Sequence, residues 1–94
     1  MDEVNEQQVL SAAIKKYGAA SQTLMLFEEM SELQKELCKK ARGRCNIDQI
    51  AEEIADVQIM LDQMILLHGC REKVNQYRQF KILRLANRME IENA

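Results

Sequence analysis

The sequence predicts an all-α protein, and three observations carry that prediction. No proline occurs in the 94 residues, so no backbone amide is removed and no ring breaks a helix. The composition is rich in Ala, Glu, Lys, Leu, Ile and Gln, a mixture that favours helix almost throughout. Apolar residues recur three and four positions apart over two long stretches, the period of a helix with one covered face. Glycine is limited to Gly18, Gly43 and Gly69, and these three breaks divide the chain into four helices.

The first helix is predicted over residues 3 to 16, with Val9, Ala12, Ala13 and Ile14 on a weak apolar face, and "KYGAAS" ends it at Gly18. The second runs from 20 to 41 and stops before "RGRCN"; its inward stripe is Leu26, Met30, Leu33 and Leu37. Asn46 or Asp48 is suited to cap the third, from 47 to 67. Ile47, Ile50, Ile54, Val57, Leu61 and Met64 are its inward positions. "LHGC" closes that helix with Gly69 as the C-terminal break, and the fourth covers 71 to 91. The short "RGRCN" connection makes the second and third helices an antiparallel hairpin.

Length and charge narrow the function classes. A chain of 94 residues is a single domain that buries a modest share of its surface, so a partner subunit would enlarge its core. A formal net charge of −2 gives no support to general nucleic-acid binding. No apolar run approaches the roughly 18 to 20 residues that span a bilayer, and the acidic, polar "MDEVNEQQ" is unlike a signal peptide. Cys38, Cys45 and Cys70 are odd in number and lack CxxC spacing, which reads as free thiols in a reducing cytosol. Zinc is disfavoured because His68 is the only histidine and no two cysteines are closely spaced.

Two clusters of acids interrupt the two most core-like segments. "FEEMSEL" carries Glu28, Glu29 and Glu32, and "EEIAD" carries Glu52, Glu53 and Asp56. Residues three or four apart share a helix face, so Glu29, Glu32 and Glu36 form one stripe, and Glu53 and Asp56 another. Glu28 and Glu52 are each offset by one step, about 100° around the helix. Most Glu-rich stripes are simply solvated faces. These differ in lying beside long apolar stripes, and four of their acids have no lysine four residues on: Glu29 precedes Leu33, Glu32 precedes Glu36, Glu53 precedes Val57 and Asp56 precedes Met60. Carboxylates converging between packed helices repel one another and need a compensating cation. Oxygen-only donors select a hard ion, Mg²⁺ or Mn²⁺. Iron is disfavoured, because di-iron bundles use Glu-x-x-His motifs and none is present here.

At these residues the sequence resembles the MazG-like all-α nucleoside triphosphate pyrophosphohydrolase superfamily, which is marked by EExxE followed after a gap by ExxD. The first motif reads Glu28-Glu29-Met30-Ser31-Glu32 and the second Glu53-Ile54-Ala55-Asp56. The flanking "YGAASQTLMLFEEMSELQKEL" and "IAEEIADVQIMLDQM" resemble small single-domain members, and the likeness extends over essentially the whole chain. The resemblance implies a four-helix MazG-like bundle with a catalytic antiparallel helix pair, completed as a homodimer or homotetramer. It implies Glu29, Glu32, Glu53 and Asp56 as ligands of Mg²⁺, with Mn²⁺ possible, and hydrolysis of an NTP or dNTP between its α and β phosphates. Glu28 matches a position that varies among relatives; it is a candidate for positioning or activating water, or belongs to a local network. Gln22 matches a glutamine in similar sequences and is a candidate for contacting base or sugar, against the plainer reading of a polar surface residue.

The fourth helix offers a complementary charge. Lys81, Arg84 and Arg88 fall on one face, with Tyr77 just before them. A triphosphate carries more charge than metal alone neutralises, so this stripe suits the distal phosphates; the plainer reading is a solvated face or a subunit salt bridge. Lys73 and Arg78 are expected to face solvent. Tyr17 and Phe27 could stack on a base but are more commonly core at such spacing. His68 is read as structural, and Met60 and Met64 as core or subunit interface. The expected function is Mg²⁺-dependent nucleotide pyrophosphohydrolysis in the cytoplasm, with no nucleic-acid or membrane partner. The alternative is a non-catalytic helical module that binds nucleotide, metal or another protein.

Overall fold

The computed structural model describes residues 4–90 and is built from four helices: α1 (Glu6–Tyr17), α2 (Ala19–Ala41), α3 (Ile47–His68) and α4 (Arg71–Arg88). No strand occurs among the described residues. The breaks fall where glycine puts them. Gly18, with φ at 92°, separates α1 from α2, and Gly69 ends α3 in the left-handed region at φ 59° and ψ 40°. Both are conformations that a side chain would strain. Asn5 opens α1, its side chain accepting a 3.0 Å hydrogen bond from the Gln8 amide. The first helix, predicted from residue 3, which lies outside the described residues, begins only at Glu6 after a non-helical Val4 and Asn5, and α4 stops at Arg88, short of the predicted 91.

Helices α2 and α3 form the predicted antiparallel hairpin, and three cross-helix relationships set its register. The Thr23 hydroxyl approaches the Met64 sulfur at 3.7 Å, Glu29 meets Asp56, and Asn46 bonds Glu36. Helix α1 packs on both, and α4 packs on α3 alone among the described residues.

The faces turned into the hairpin differ from the predicted stripes. On α2 the seam runs through Gln22, Leu26, Glu29, Leu33 and Glu36; Met30 and Leu37, expected inward, are exposed. On α3 it runs through Glu53, Asp56, Val57, Met60, Gln63 and Met64, while Ile47, Ile54 and Leu61 are exposed. On α1 the covered residues are Leu10, Ala13 and Ile14, with Val9 and Ala12 outside. Tyr17 and Phe27 are exposed rather than core. The physical reason is common to all of these. Each helix is apolar over more than one face, and a single chain covers only the face that carries the acids. Leu26 and Met60 are the buried apolar side chains among the described residues.

The molecule is correspondingly open. Its radius of gyration is 16.7 Å, against about 12 Å for a compact domain of this length. Its accessible surface is 8036 Å², against roughly 5,600 Å² for a compact monomer of this mass.

The turn between α2 and α3 is held from inside. Asn46 stands at the N-cap of α3 but does not cap it with its side chain. Its amide instead donates to the Glu36 carbonyl at 2.8 Å and to the Glu36 carboxylate at 3.0 Å, both buried. The second Glu36 oxygen accepts from Lys39 at 2.9 Å, a pair three residues apart rather than four. These partners, Asn46 first, hold the Glu36 carboxyl below the usual glutamate range. Asn46→Ala removes two buried hydrogen bonds and should destabilise the fold by about 1–3 kcal/mol, read as a lower urea midpoint at unchanged slope. An unchanged midpoint would remove the latch from the account.

Candidate metal centre

Two turns from that latch, the antiparallel register sets the acids of α2 against those of α3. Glu29, Glu53 and Asp56 each offer a carboxylate oxygen, and the three oxygens lie within 4.8 Å of one another. All three residues are half-buried. They converge because 29 falls on the same α2 face as Leu26 and Leu33, and 53 and 56 on the same α3 face as Met60. Packing of the neutral residues brings the charged ones together.

The electrostatic consequence is strain among like charges. The Glu29 carboxyl is pushed up from its ordinary value, first by desolvation, then by a hydrogen bond and repulsion from Asp56, then by Glu53 and Glu32. Glu53 is also pushed up, first by desolvation, then by Asp56, Glu32, Glu52 and Glu36. The charged groups acting on both residues are all carboxylates. One Glu53 oxygen, Oε2, is buried with no hydrogen-bond partner, an expensive state for a carboxyl oxygen.

The other sequence-derived candidates are distributed around this triad. Glu32 is exposed and outside the cluster of three, yet close enough to repel both Glu29 and Glu53. Glu28 is exposed and is not among the groups acting on either. Gln22 is buried in the seam on the Glu29 face, not a surface residue. Lys81, Arg84 and Arg88 are exposed on α4, which makes no packing contact with α2. Arg84 rests instead over the Phe80 ring, 6.0 Å from its centroid. The chain therefore brings the acids together but not the cations.

Gln63 was not picked out from the sequence. It is 4% exposed, and its Oε1 has no partner. It falls on the Asp56–Met60 face two turns further along α3, as Gln22 does relative to Glu29 on α2. Its position on the acidic stripe rather than the apolar one was the available signal. Cys38, Cys45 and Cys70 are free thiols, the first two exposed. No helix among the described residues is long and apolar enough to cross a membrane. No protein-family model, curated protein or solved structure matches this chain.

Proposed function

We propose that the chain is a Mg²⁺-dependent nucleoside triphosphate pyrophosphohydrolase of the MazG-like type, cleaving between the α and β phosphates. The observation that carries this reading is the convergence of Glu29, Glu53 and Asp56 within 4.8 Å across two antiparallel helices. The donor set fits the ion: it is all oxygen, multiply charged and half-buried, and one Glu53 oxygen lacks a partner. When bound, a divalent ion neutralises phosphate charge and lowers the pKa of a coordinated water. Glu29, Glu53 and Asp56 would hold it, with Glu32 at the exposed edge adding negative charge. Glu28, also exposed and adjacent, is assigned the role of orienting water, and Gln22 a contact to the nucleoside.

In-line displacement at phosphorus needs alignment and charge stabilisation more than covalent help, and the packed α2–α3 hairpin would supply the alignment. Mn²⁺ satisfies the same donors. The proposed assembly is a homodimer or homotetramer, supported by the exposed Met30, Leu37, Ile54 and Leu61. A screen of pyrophosphate release across the common NTPs and dNTPs with Mg²⁺ tests the activity and identifies base and sugar preference. Release from none of them, by a protein that still binds nucleotide and Mg²⁺, would favour the non-catalytic binding module.

The distal phosphates are assigned to Lys81, Arg84 and Arg88. Arg84→Ala should weaken binding of a non-hydrolysable triphosphate by roughly ten- to a hundred-fold, the range for a charge-assisted contact. Binding of the monophosphate, which lacks β and γ groups, should change little. Calorimetric titration with both ligands decides this, and equal losses would return the stripe to a plain charged face.

A further inference from the structure

Helix α4 packs on α3 alone among the described residues, and every residue of it except Ala86 is exposed. Its side chains are sorted around the helix. At about 100° per residue, one arc of roughly 100° holds Lys73, Tyr77, Phe80, Lys81, Arg84 and Arg88 and nothing else. Four cations and both aromatic rings of α4 therefore form one stripe, about 22 Å long at 1.5 Å per residue. Arg78 and Arg71 follow beyond Lys81, and Glu72, the single acid of α4, lies on the far side. The rings stand open to solvent, Tyr77 at 63% and Phe80 at 61% exposure. Arg84 holds its guanidinium over the Phe80 ring. The chain's total charge of −2 conceals this feature: α4 alone carries six Arg and Lys against one Glu, a net +5.

We infer that this stripe is a docking track for a single-stranded nucleic acid, with bases stacked on Tyr77 and Phe80 and phosphates on Lys73, Lys81, Arg84 and Arg88. Every unpaired base offers a face that an exposed ring can cover, and a row of cations follows the backbone whatever its sequence. In a duplex those faces are already stacked on one another, so the rings would go unused. A bilayer surface does not fit the helix. An interfacial helix needs one broad apolar face opposite its cations. Here Arg71 and Arg78 divide Val74 and Leu85 from Ile82, and Asn75, Gln79 and Glu72 divide Ile82 from Leu83. The stripe also extends beyond the three cations assigned above to a triphosphate. Lys73 and the two rings lie outside that set, and a longer polyanion with unpaired bases uses all six residues. The docking does not rest on the hydrolase reading.

The test is fluorescence anisotropy of a labelled single-stranded oligonucleotide of about 12 nucleotides, titrated with the full-length protein in chelator. Four phosphate contacts, at a slope of about −0.7 each, predict that affinity falls about fifty-fold between roughly 50 and 200 mM salt. Tyr77→Ala should weaken binding at least about five-fold, and Tyr77→Phe should keep it, since the ring stacks and the hydroxyl does not. Position 77 is exposed, so neither change disturbs the fold. Stacking has its own signature. The chain has no tryptophan and two tyrosines, so Tyr17→Phe leaves Tyr77 as the one tyrosine emitter, and the oligonucleotide should quench it. A duplex of the same length, or inorganic polyphosphate, that binds as tightly as the single strand would overturn the inference and leave a plain charged face. Absence of binding at about 50 mM salt, or binding that leaves Tyr77 unquenched, would overturn it too. Working in chelator keeps the two readings separate. Oligonucleotide binding by a protein that hydrolyses no nucleotide would sink the hydrolase reading alone, and hydrolysis without oligonucleotide binding would sink this docking alone.

Discussion

Replacing Glu53 with glutamine is expected to abolish Mg²⁺-dependent hydrolysis while making the metal-free protein more stable, not less. The two halves of this result have one cause. Glu53 is repelled by Asp56, Glu32, Glu52 and Glu36, and one of its oxygens is buried without a partner. Glutamine keeps the shape, removes the charge and relieves that repulsion in the fold. The same change removes a ligand from the proposed ion. Residues that merely support metal ligands cost ten- to a hundred-fold when mutated, so losing a ligand should cost about a hundred-fold or more in turnover. Helical content should stay at the wild-type level. The measurements are thermal midpoint in chelator and steady-state hydrolysis in Mg²⁺. A variant that keeps near-wild-type turnover removes Glu53 from the site. A variant destabilised in chelator would mean that the triad is a structural contact and not a strained one.

The pH dependence of metal-free stability should also be unusual for an acidic protein. Glu29 and Glu53 have folded-state values raised above the ordinary 4.5. The folded state therefore binds more protons than the unfolded chain in the range just above 4.5, and stability falls as pH rises through it. Glu36 acts in the opposite sense. Its value is lowered, so the stability it contributes is present above 4.5 and is lost as pH falls below. Together these predict a maximum in chelator in the mildly acidic range, with a decline toward neutrality. Mg²⁺ should remove the decline on the neutral side, since it binds the deprotonated triad and releases protons as it does so. Thermal midpoints from pH 4 to 8 with and without Mg²⁺ would show the two curves meeting at the acidic end and diverging toward pH 8. Parallel curves would separate the triad from the ion.

How far the sequence could be read depended on the physical signal behind each feature. The four helices and the breaks between them followed from local chemistry: absent proline and glycines at the breaks. Asn46 stands before α3 as expected but turns its side chain to Glu36 rather than to a cap. Which faces turned inward did not follow. Met30, Leu37, Ile54 and Leu61 were expected in the core because they are apolar, yet they are exposed. Gln22, Glu36 and Gln63 are buried although they are polar. Hydrophobic periodicity marks every apolar face of a helix, and the fold of one chain covers only some of them. The acids were legible for a related reason. Glu53 and Asp56 share a face of α3 by helical spacing alone, as Glu29 and Glu32 do on α2, and the short turn makes the two helices antiparallel; that these faces meet is set by the packing. Glu36 was grouped with that stripe, but a neighbouring amide and a lysine three residues on make it part of the turn. The position of Lys81, Arg84 and Arg88 relative to the acids depends on tertiary packing, about which periodicity says nothing.

The central claim is that the α2–α3 seam is a divalent-cation site, and titration of Mn²⁺ followed by electron paramagnetic resonance tests it most directly. Metal-free wild type should deplete the free Mn²⁺ signal saturably, and Mg²⁺ should restore the signal by competition. Asp56→Asn, which takes one charge from the triad and leaves its neighbours in place, should leave the free signal close to that of buffer. Equal depletion by wild type and Asp56→Asn would contradict the assignment, as would a wild type that leaves Mn²⁺ free.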